Sequence, residues 1–155
     1  MIDLSDIIQP DAVLLALKAG SKRQVLQLMA SRASALTGLD EKAVLDSLVQ
    51  REKLGSTGVG GGIAIPHARL SGIDHILGML ARLAQPVDFE ALDDQPVDLV
   101  FLMLAPETAG ADHLKALARI ARVLRDPLVV ARLRGAFDKD ALYAVLTEGA
   151  KPDAA

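Results

Sequence analysis

Apolar positions in the first third of the chain recur every three or four residues, which is the spacing of a helix that buries one face. Residues 21–38 begin at a serine and end at a glycine, the residue types that cap the two ends of a helix. A second helix is predicted over residues 40–55, with Leu54 on its buried side. A shorter helix is predicted over residues 11–19, between an aspartate that caps it and a glycine that stops it.

The middle of the chain changes to extended patterning. Residues 55–62 carry five glycines and no charge, so we predict a flexible connector there and no helix. The triplet 63–65 that follows is strand-like and ends at a proline. Residues 98–105 are almost entirely apolar and flanked by prolines, which predicts a buried strand. Residues 75–84 fit a helix or a strand, and their short length favours a strand.

The last third returns to helical spacing. Helices are predicted over residues 111–125, over 126–135, which opens with Asp-Pro and closes with Gly, and over 138–148. Residues 149–155 are expected to form a frayed tail. Because strands alternate with helices, including a strand-loop-helix unit at 98–125, the pattern predicts an α/β fold with one sheet covered by helices on its faces.

Composition narrows the classes of partner. The chain has 155 residues, 51% of them hydrophobic, which suffices for one domain with one core. Its 17 basic and 20 acidic residues leave a net charge of -3, without the basic patch that nucleic-acid binding needs. Cysteine is absent, and neither a signal peptide nor a bilayer-spanning apolar run is recognisable. We expect a soluble, cytoplasmic protein whose partners are proteins or small molecules.

The glycine run matches neither of two common phosphate-binding loops. A P-loop requires a lysine directly after its last glycine, and none follows here. The dinucleotide fingerprint requires a third glycine five residues after the first, but counting from Gly58 that position is Ile63. A mobile connector explains the run equally well from its composition. Its location directly before a histidine is what favours a functional part.

That histidine, His67, follows a proline at the end of the predicted strand 63–65, where a loop is expected to begin. A lone histidine in such a place is more often structural than reactive. Its chemistry nevertheless suits a nucleophile, because a neutral imidazole nitrogen is nucleophilic near pH 7. The second ring nitrogen can donate to a backbone carbonyl and so fix the tautomer.

A phosphoryl group carried on His67 would need positive charge and hydrogen-bond donors around its oxygens. Arg51 and Arg69 are the candidates by proximity in sequence, and arginine can bind such oxygens bidentately. Arg51 stands just before the glycine run, so the chain can fold it back toward His67. Taken alone, Arg51 is explained more simply as a solvated helix end that interacts with the helix dipole.

His113 lies near the start of the predicted helix 111–125, after the apolar strand. A helix N-terminus disfavours added positive charge, so this imidazole is expected to stay neutral and able to form hydrogen bonds. It is a candidate neighbour of His67 at the carboxyl end of the sheet, where ligands of α/β proteins usually bind. The alternative is a partly buried capping residue.

Other kinds of site are disfavoured. His67, His75 and His113 lack the spacing of a helical zinc-binding pair, and no cysteine can replace a missing ligand, so we expect no metal. The Gly-x-Ser-x-Gly elbow of a serine hydrolase is absent. Asp93 and Asp94 are expected to form a solvated turn.

The segment 51–67, Arg-Glu-Lys-Leu-Gly-Ser-Thr-Gly-Val-Gly-Gly-Gly-Ile-Ala-Ile-Pro-His, resembles the active-site segment of enzyme IIA proteins. These belong to the mannitol/fructose/nitrogen class, or type 2, of the bacterial phosphotransferase system. The likeness extends from about Leu4 to Leu146 and includes Asp-His-Leu-Lys at 112–115. It implies one enzyme IIA domain over residues 4–148, folded as a single mixed β-sheet between α-helices on both faces.

The resemblance also implies roles for individual residues. His67 matches the phosphorylated histidine, which carries the phosphoryl group on the ring nitrogen remote from the backbone. Arg51 and His113 match the residues that flank that group, Arg51 stabilising the phosphate and His113 orienting it by a hydrogen bond. Backbone groups of the glycine segment are expected to contact the phosphoryl oxygens, at four positions: Ser56, Thr57, Gly58 and Gly60. Val59 and Gly61 depart from the family pattern without removing any of these groups.

A donor and a role follow from the same resemblance. The donor would be a small HPr-like phosphocarrier protein, with no metal or cofactor. Residues 54–58, 85–91 and 96–99 look closer to nitrogen-regulatory members than to sugar-transport members. The phosphorylation state would then be a signal read by regulatory targets such as transporters or sensor kinases. Two alternatives stay open: a sugar-transport IIA that passes phosphate to a separate IIB cysteine, and a binding module that is never phosphorylated.

Overall fold

A mixed sheet of six strands runs through residues 3–148, the part of the chain that the computed structural model describes. In chain order the strands are β1 (Ile8–Leu17), β2 (Gly58–Gly60), β3 (Ile63–Ala64), β4 (His67–Leu70), β5 (Leu77–Val87) and β6 (Val97–Pro106). Their order across the sheet is β1-β5-β6-β3-β2, and β4 also pairs with β6. Since β6 runs antiparallel to β5 but parallel to β3 and β4, the sheet is mixed, as expected.

Five helices within the described residues cover this sheet: α1 (Lys22–Thr37), α2 (Glu41–Lys53), α3 (Ala111–Arg125), α4 (Pro127–Gly135) and α5 (Lys139–Glu148). Helices α1 and α2 pack together and contact β1, β5 and β4, whereas α3, α4 and α5 pack in series and contact β6 and β1. All seven residues from Leu99 to Ala105 are fully buried. Because successive side chains of a strand point to opposite faces, both faces are covered, and the predicted architecture is confirmed.

Most helix ends are set by the local sequence signals. Ser21, Asp40 and Asp126 each accept a hydrogen bond from a backbone amide in the first turn of α1, α2 and α4. Gly38 closes α1 in the left-handed conformation, with φ of 79°. The predicted helix 111–125 has the bounds of α3, while the helix predicted to reach residue 55 ends two residues earlier, at Lys53.

The helix predicted over residues 11–19 is wrong, because these residues belong mainly to strand β1. Ala12 and Val13 are buried, and β1 pairs in parallel with β5. A short apolar run carries no decisive periodicity, so the available pairing partner decides its structure. Pro10 fits this edge strand because its missing N–H can face away from the ladder.

The flexible connector predicted at residues 55–62 is also corrected, since it contains the β2 strand of a small hairpin with β3. Gly60, Gly61 and Gly62 turn the hairpin with φ of 100°, 67° and 81°, conformations that favour glycine. The Asp93 carboxylate accepts the Gly61 amide at 2.9 Å, and Arg134 donates to the Gly61 carbonyl at 2.7 Å. Asp93 therefore stabilises the hairpin and also lies in the exposed turn that the sequence predicts at residues 93–94.

Two expectations concern the ends and the surroundings of the chain. The frayed tail predicted at residues 149–155 lies outside the described residues. Within residues 3–148, no helix is both long enough and apolar enough to cross a bilayer.

The predicted helix 138–148 corresponds to α5, which starts one residue later.

Candidate functional site

His67 is the first residue of strand β4, not the start of a loop as expected. The backbone carbonyl of Pro66 accepts the Met103 amide at 2.9 Å, which seats the histidine beside the central strand β6. The ring is half-buried, and its Nδ1 lies 2.9 Å from the Ile65 carbonyl oxygen. A carbonyl only accepts hydrogen bonds, so Nδ1 carries a proton and donates it there.

Arg51 holds the opposite nitrogen of the same ring. Its Nε–H donates to Nε2 of His67 at 3.2 Å, and its Nη1 donates to the Gly55 carbonyl at 2.9 Å. Because Nε2 accepts this hydrogen bond, it bears no proton and has an available lone pair. The imidazole is thus neutral, and the nitrogen remote from the backbone is the nucleophilic one. The sequence-based pairing of Arg51 with His67 is found in the structure.

His113 lies next to the same ring. The centroids of the two imidazoles are 5.6 Å apart, with an edge-to-face inclination of 66°. His113 is only 6% exposed, and its buried Nδ1 has no hydrogen-bond partner within residues 3–148. It makes no side-chain capping bond at the start of α3, which argues against the alternative of a capping residue. The structure therefore brings together His67, Arg51 and His113.

Both imidazoles are biased toward the neutral form. Burial is the main cause that lowers the pKa of His67 below its usual 6.5; the Arg51 charge lowers it further, while the Ile65 hydrogen bond and the Glu52 charge act in the opposite direction. The pKa of His113 is lowered by burial first, then by the positive charge of Arg69, and also by His67 when that ring is protonated. A neutral ring at neutral pH is the form that can attack phosphorus.

An open cavity of about 540 Å³ gives access to this group. Nine residues line it: Asp46, Ser47, Gln50, Arg51, Leu54, His67, Ala68, Arg69 and His113. Arg69, the second arginine candidate, is exposed on β4 on this side of the protein. Leu54, expected on the buried side of α2, is 84% exposed at the cavity mouth.

The four loop residues expected to contact a phosphoryl group do not line this cavity. The Thr57 amide donates to Glu52 at 3.0 Å, the Gly58 amide donates to the Ser56 hydroxyl at 3.0 Å, and Gly60 belongs to the hairpin. Their contacts with phosphoryl oxygens stay a prediction. In this structure their hydrogen bonds instead shape the segment that leads from α2 to His67.

Sequence reasoning missed three polar residues of the site and one buried acid. Asp46, Ser47 and Gln50 line the cavity because they share one face of α2 with Arg51. The helical spacing back from Arg51 would have identified Ser47, four residues earlier. Glu52 is buried, and although it is the second residue of the segment 51–67, its type and spacing alone did not indicate a role.

A second cavity, of about 590 Å³, shares no lining residue with the first. It contains the third histidine, His75, which pairs with Asp74 at 2.7 Å, and Arg119, which pairs with Asp6 at 2.9 Å. Within residues 3–148, no group of three or more His, Cys, Asp or Glu side chains has a metal-binding arrangement. His75 thus lines a different cavity from the one that His67 and His113 line.

The ring of His67 is expected to titrate below 6.5, because burial and the Arg51 charge oppose its protonation. Replacing Arg51→Gln should raise this pKa, since a positive neighbour is lost. The unfolded chain binds the proton more tightly than the folded protein does. This histidine therefore lowers the stability of the fold as the pH falls from about 6.5, the unfolded pKa, through the lower pKa of the folded protein. NMR titration of the ring in both proteins measures the shift. A pKa at or above 6.5 in the unsubstituted protein would contradict the expectation.

Comparison with known families agrees with this geometry. The model of the family described as "Phosphoenolpyruvate-dependent sugar phosphotransferase system, EIIA 2" matches residues 6–149, which is nearly the whole chain. The chain belongs to this EIIA type 2 family. The resemblance expected from the active-site segment is thereby confirmed.

Curated EIIA type 2 relatives also bear out the expected branch. A nitrogen regulatory protein of Bradyrhizobium diazoefficiens is 57% identical over 92% of this chain and 94% of its own length. One of Pseudomonas aeruginosa is 45% identical over 96% of this chain and 97% of its own length. The likeness to nitrogen-regulatory members, first suggested by three short segments, holds over the full length.

Solved EIIA structures share the fold. The nitrogen regulatory protein IIA-Ntr of Neisseria meningitidis superposes with a TM-score of 0.88 at 33% identity, covering 93% of this chain and 99% of its own. The mannitol IIA of Escherichia coli gives a TM-score of 0.74 at 21% identity, covering 90% and 98%. At that lower identity the mannitol protein supports the architecture alone.

Proposed function

We propose that Nε2 of His67 accepts a phosphoryl group from the phosphohistidine of a small HPr-like donor protein and later passes it on. The observation that carries this proposal is the fixed state of the ring. Nδ1 donates to the Ile65 carbonyl at 2.9 Å, and Nε2 receives the Arg51 Nε–H at 3.2 Å. A neutral imidazole held this way presents one lone pair toward an open cavity.

In the proposed step the lone pair of Nε2 attacks phosphorus in line with the bond to the donor. The new P–N bond forms on His67 while the P–N bond to the donor's imidazole breaks, and the donor ring keeps the bonding electrons. The proton on Nδ1 of His67 stays in place. The ring gains positive charge when the phosphoryl group binds Nε2. The hydrogen bond from Nδ1 to the Ile65 carbonyl stabilises that charge.

Arg51 and His113 act on the transferred group. As the phosphoryl group reaches Nε2, the Arg51 Nε–H moves from this nitrogen to a phosphoryl oxygen, and its charge neutralises the group. The His113 ring, 5.6 Å from His67, donates a hydrogen bond that orients the oxygens. The exposed Arg69 adds positive charge at the same cavity. No metal or cofactor takes part in this proposal.

The role of this phosphocarrier in the cell is regulatory. Phosphorylation adds about two negative charges to an open surface that a partner protein can read. Full-length relatives called nitrogen regulatory proteins support this role over sugar transport. The regulated targets in the proposal are proteins such as transporters or sensor kinases, contacted from solution without insertion into a membrane.

The sugar-transport alternative is illustrated by a solved complex. The mannitol IIA of Escherichia coli has been solved in complex with phosphorylated IIB, at 19% identity to this chain. A transport IIA would pass its phosphate to a IIB cysteine in a transfer assay, and a regulator need not. A module that is never phosphorylated would bind its partners equally before and after treatment with the donor.

The deciding experiment is mass spectrometry after incubation with a phosphoenolpyruvate-driven donor chain. We expect one acid-labile phosphoryl group per chain, mapped to His67. Treatment without phosphoenolpyruvate is the control. Absence of a phosphoryl gain, or its location on His75 or His113, would contradict the proposal.

A further inference from the structure

Glu52 is the buried acid at the end of α2, next in sequence to Arg51. Its side chain is only 6% exposed. A buried carboxylate is costly unless hydrogen bonds or an opposite charge compensate for its lost hydration. We therefore expect the hydrogen bonds of Glu52 to have a structural role. The roles proposed for His67, Arg51 and His113 do not account for it.

Its two oxygens are compensated mainly by one residue. Oε1 of Glu52 accepts the Thr57 hydroxyl at 2.6 Å, and Oε2 accepts the Thr57 backbone amide at 3.0 Å. Lys22 of α1 adds a third contact to Oε2, at 3.3 Å, and also pairs with Glu90 at 3.0 Å. Glu52 thus fixes both the backbone and the side chain of Thr57 inside the glycine segment.

From Thr57 the hydrogen bonds continue to the histidine ring. The Thr57 carbonyl accepts the Ile65 amide at 2.9 Å, and the Ile65 carbonyl accepts the proton on Nδ1 of His67 at 2.9 Å. The carbonyl that sets the tautomer of His67 is therefore held by Thr57, which Glu52 holds in turn. Loss of the contact between Glu52 and Thr57 should therefore weaken the hydrogen bond between the Ile65 carbonyl and His67.

Arg51 depends on the same turn. The Glu52 backbone carbonyl accepts the Gly55 amide at 3.2 Å, while the Gly55 carbonyl accepts Nη1 of Arg51 at 2.9 Å. The Ile65 carbonyl is therefore linked to the Glu52 side chain through Thr57, whereas the Arg51 guanidinium is linked only to the Glu52 backbone, which a substitution leaves in place. The negative charge of Glu52 also favours protonation of His67, which opposes the effect of Arg51.

We propose that Glu52 is a positioning residue for phosphoryl transfer, acting through Thr57 and Ile65 to hold His67 in its Nδ1-protonated tautomer. This inference rests on the proposed function of His67. Glu52 touches neither the ring nor the phosphoryl group. Its contribution is to keep Nε2 unprotonated and aimed at the cavity, and misplacement of a nucleophile by a fraction of an ångström already slows a transfer step.

Two substitutions separate hydrogen bonding from charge. Glu52→Ala removes the anchor of Thr57, and we expect the rate constant for phosphorylation at saturating donor to fall by about tenfold. The KM for the donor should stay unchanged, because Glu52 does not line the cavity. Glu52→Gln can still accept the Thr57 amide and donate to its hydroxyl. It should retain the rate within about twofold while the pKa of His67 falls, because the negative charge is lost.

The tautomer gives a readout that a purely structural anchor would not change. ¹⁵N NMR of the His67 ring, recorded without donor, should show protonated Nδ1 in the unsubstituted protein and in Glu52→Gln. Glu52→Ala should show a mixture of the two tautomers. Glu90→Gln is the matched control, because it removes the exposed partner of Lys22 and leaves Thr57 untouched.

The inference is overturned if folded Glu52→Ala keeps both the tautomer and the rate, or if Glu52→Gln is as slow as Glu52→Ala. Should Glu52→Ala fail to fold, Thr57→Val decides instead, since it removes only the hydroxyl contact; an unchanged tautomer and rate there would also overturn it. Failure of the proposed function looks different. The unsubstituted protein would then gain no phosphoryl group, while the NMR comparison, which needs no donor, would still test Glu52.

Discussion

Replacing His67→Ala is expected to abolish phosphoryl acceptance, with a loss of more than about a thousandfold in the rate of labelling. The reason is chemical, since no other group in the cavity has the geometry of Nε2. His113 lies beside it, but this residue is only 6% exposed and its Nδ1 is buried in the protein. Labelling with a phosphoenolpyruvate-driven donor chain, followed by mass spectrometry, measures the loss.

His75→Ala is the matched control for this experiment. His75 is the same residue type, is 72% exposed and lines the other cavity, so its removal should leave labelling unchanged. His113→Ala should still be labelled, but more slowly, because it loses only a group that orients the phosphate. Labelling of His67→Ala at the rate of the unsubstituted protein would remove His67 from the mechanism and with it the proposed function.

Replacing Arg51→Gln is expected to slow phosphoryl acceptance by about a hundredfold or more. The charge that neutralises the transferred group is lost, together with the Nε–H that lies 3.2 Å from Nε2 of His67. Arg51→Lys should recover only part of the rate, because an ammonium group keeps the charge but lacks the planar pair of donors. Rapid-quench measurement at saturating donor gives the rate of the transfer step itself.

The control for Arg51 is Arg122→Gln, which removes the same charge from an exposed position of α3 outside the cavity. Its rate should match that of the unsubstituted protein. If Arg51→Gln transfers at the normal rate, the role assigned to Arg51 fails, while His67 can still be the phosphorylated residue. Comparison with Arg69→Gln then shows whether the second arginine of the cavity supplies the missing charge.

Local signals in the sequence were sufficient for most of the helices. Ser21, Asp40 and Asp126 are capping residues whose effect reaches only one turn along the chain, so their identity alone locates a helix start. The apolar run of β6 is recognisable because a strand covered on both faces has few polar positions, and Asp98 is the only one in β6. These features depend on neighbours in sequence, which a sequence displays directly.

The two incorrect predictions concern segments whose structure depends on residues that are close in space but distant in sequence. Local pattern predicts a helix in place of β1 because the residues of β5 that pair with it lie 66 to 70 positions further along the chain. Composition predicts a flexible connector at the glycine segment because the two residues that fix it by hydrogen bonds, Asp93 and Arg134, come from distant parts of the chain. In both cases long-range hydrogen bonds decide a structure that local propensity leaves open.

For the site, the family likeness of residues 51–67 and 112–115 predicts the residue types that a phosphoryl carrier needs: His67, Arg51 and His113. Their mutual arrangement depends on contacts that form only in the folded chain. The tautomer of His67 depends on a carbonyl and a guanidinium at its two nitrogens, and the buried Glu52 holds Thr57 in the segment that leads to that carbonyl. A proton's position is set by the partners that a ring meets in space, and folding alone brings those partners together.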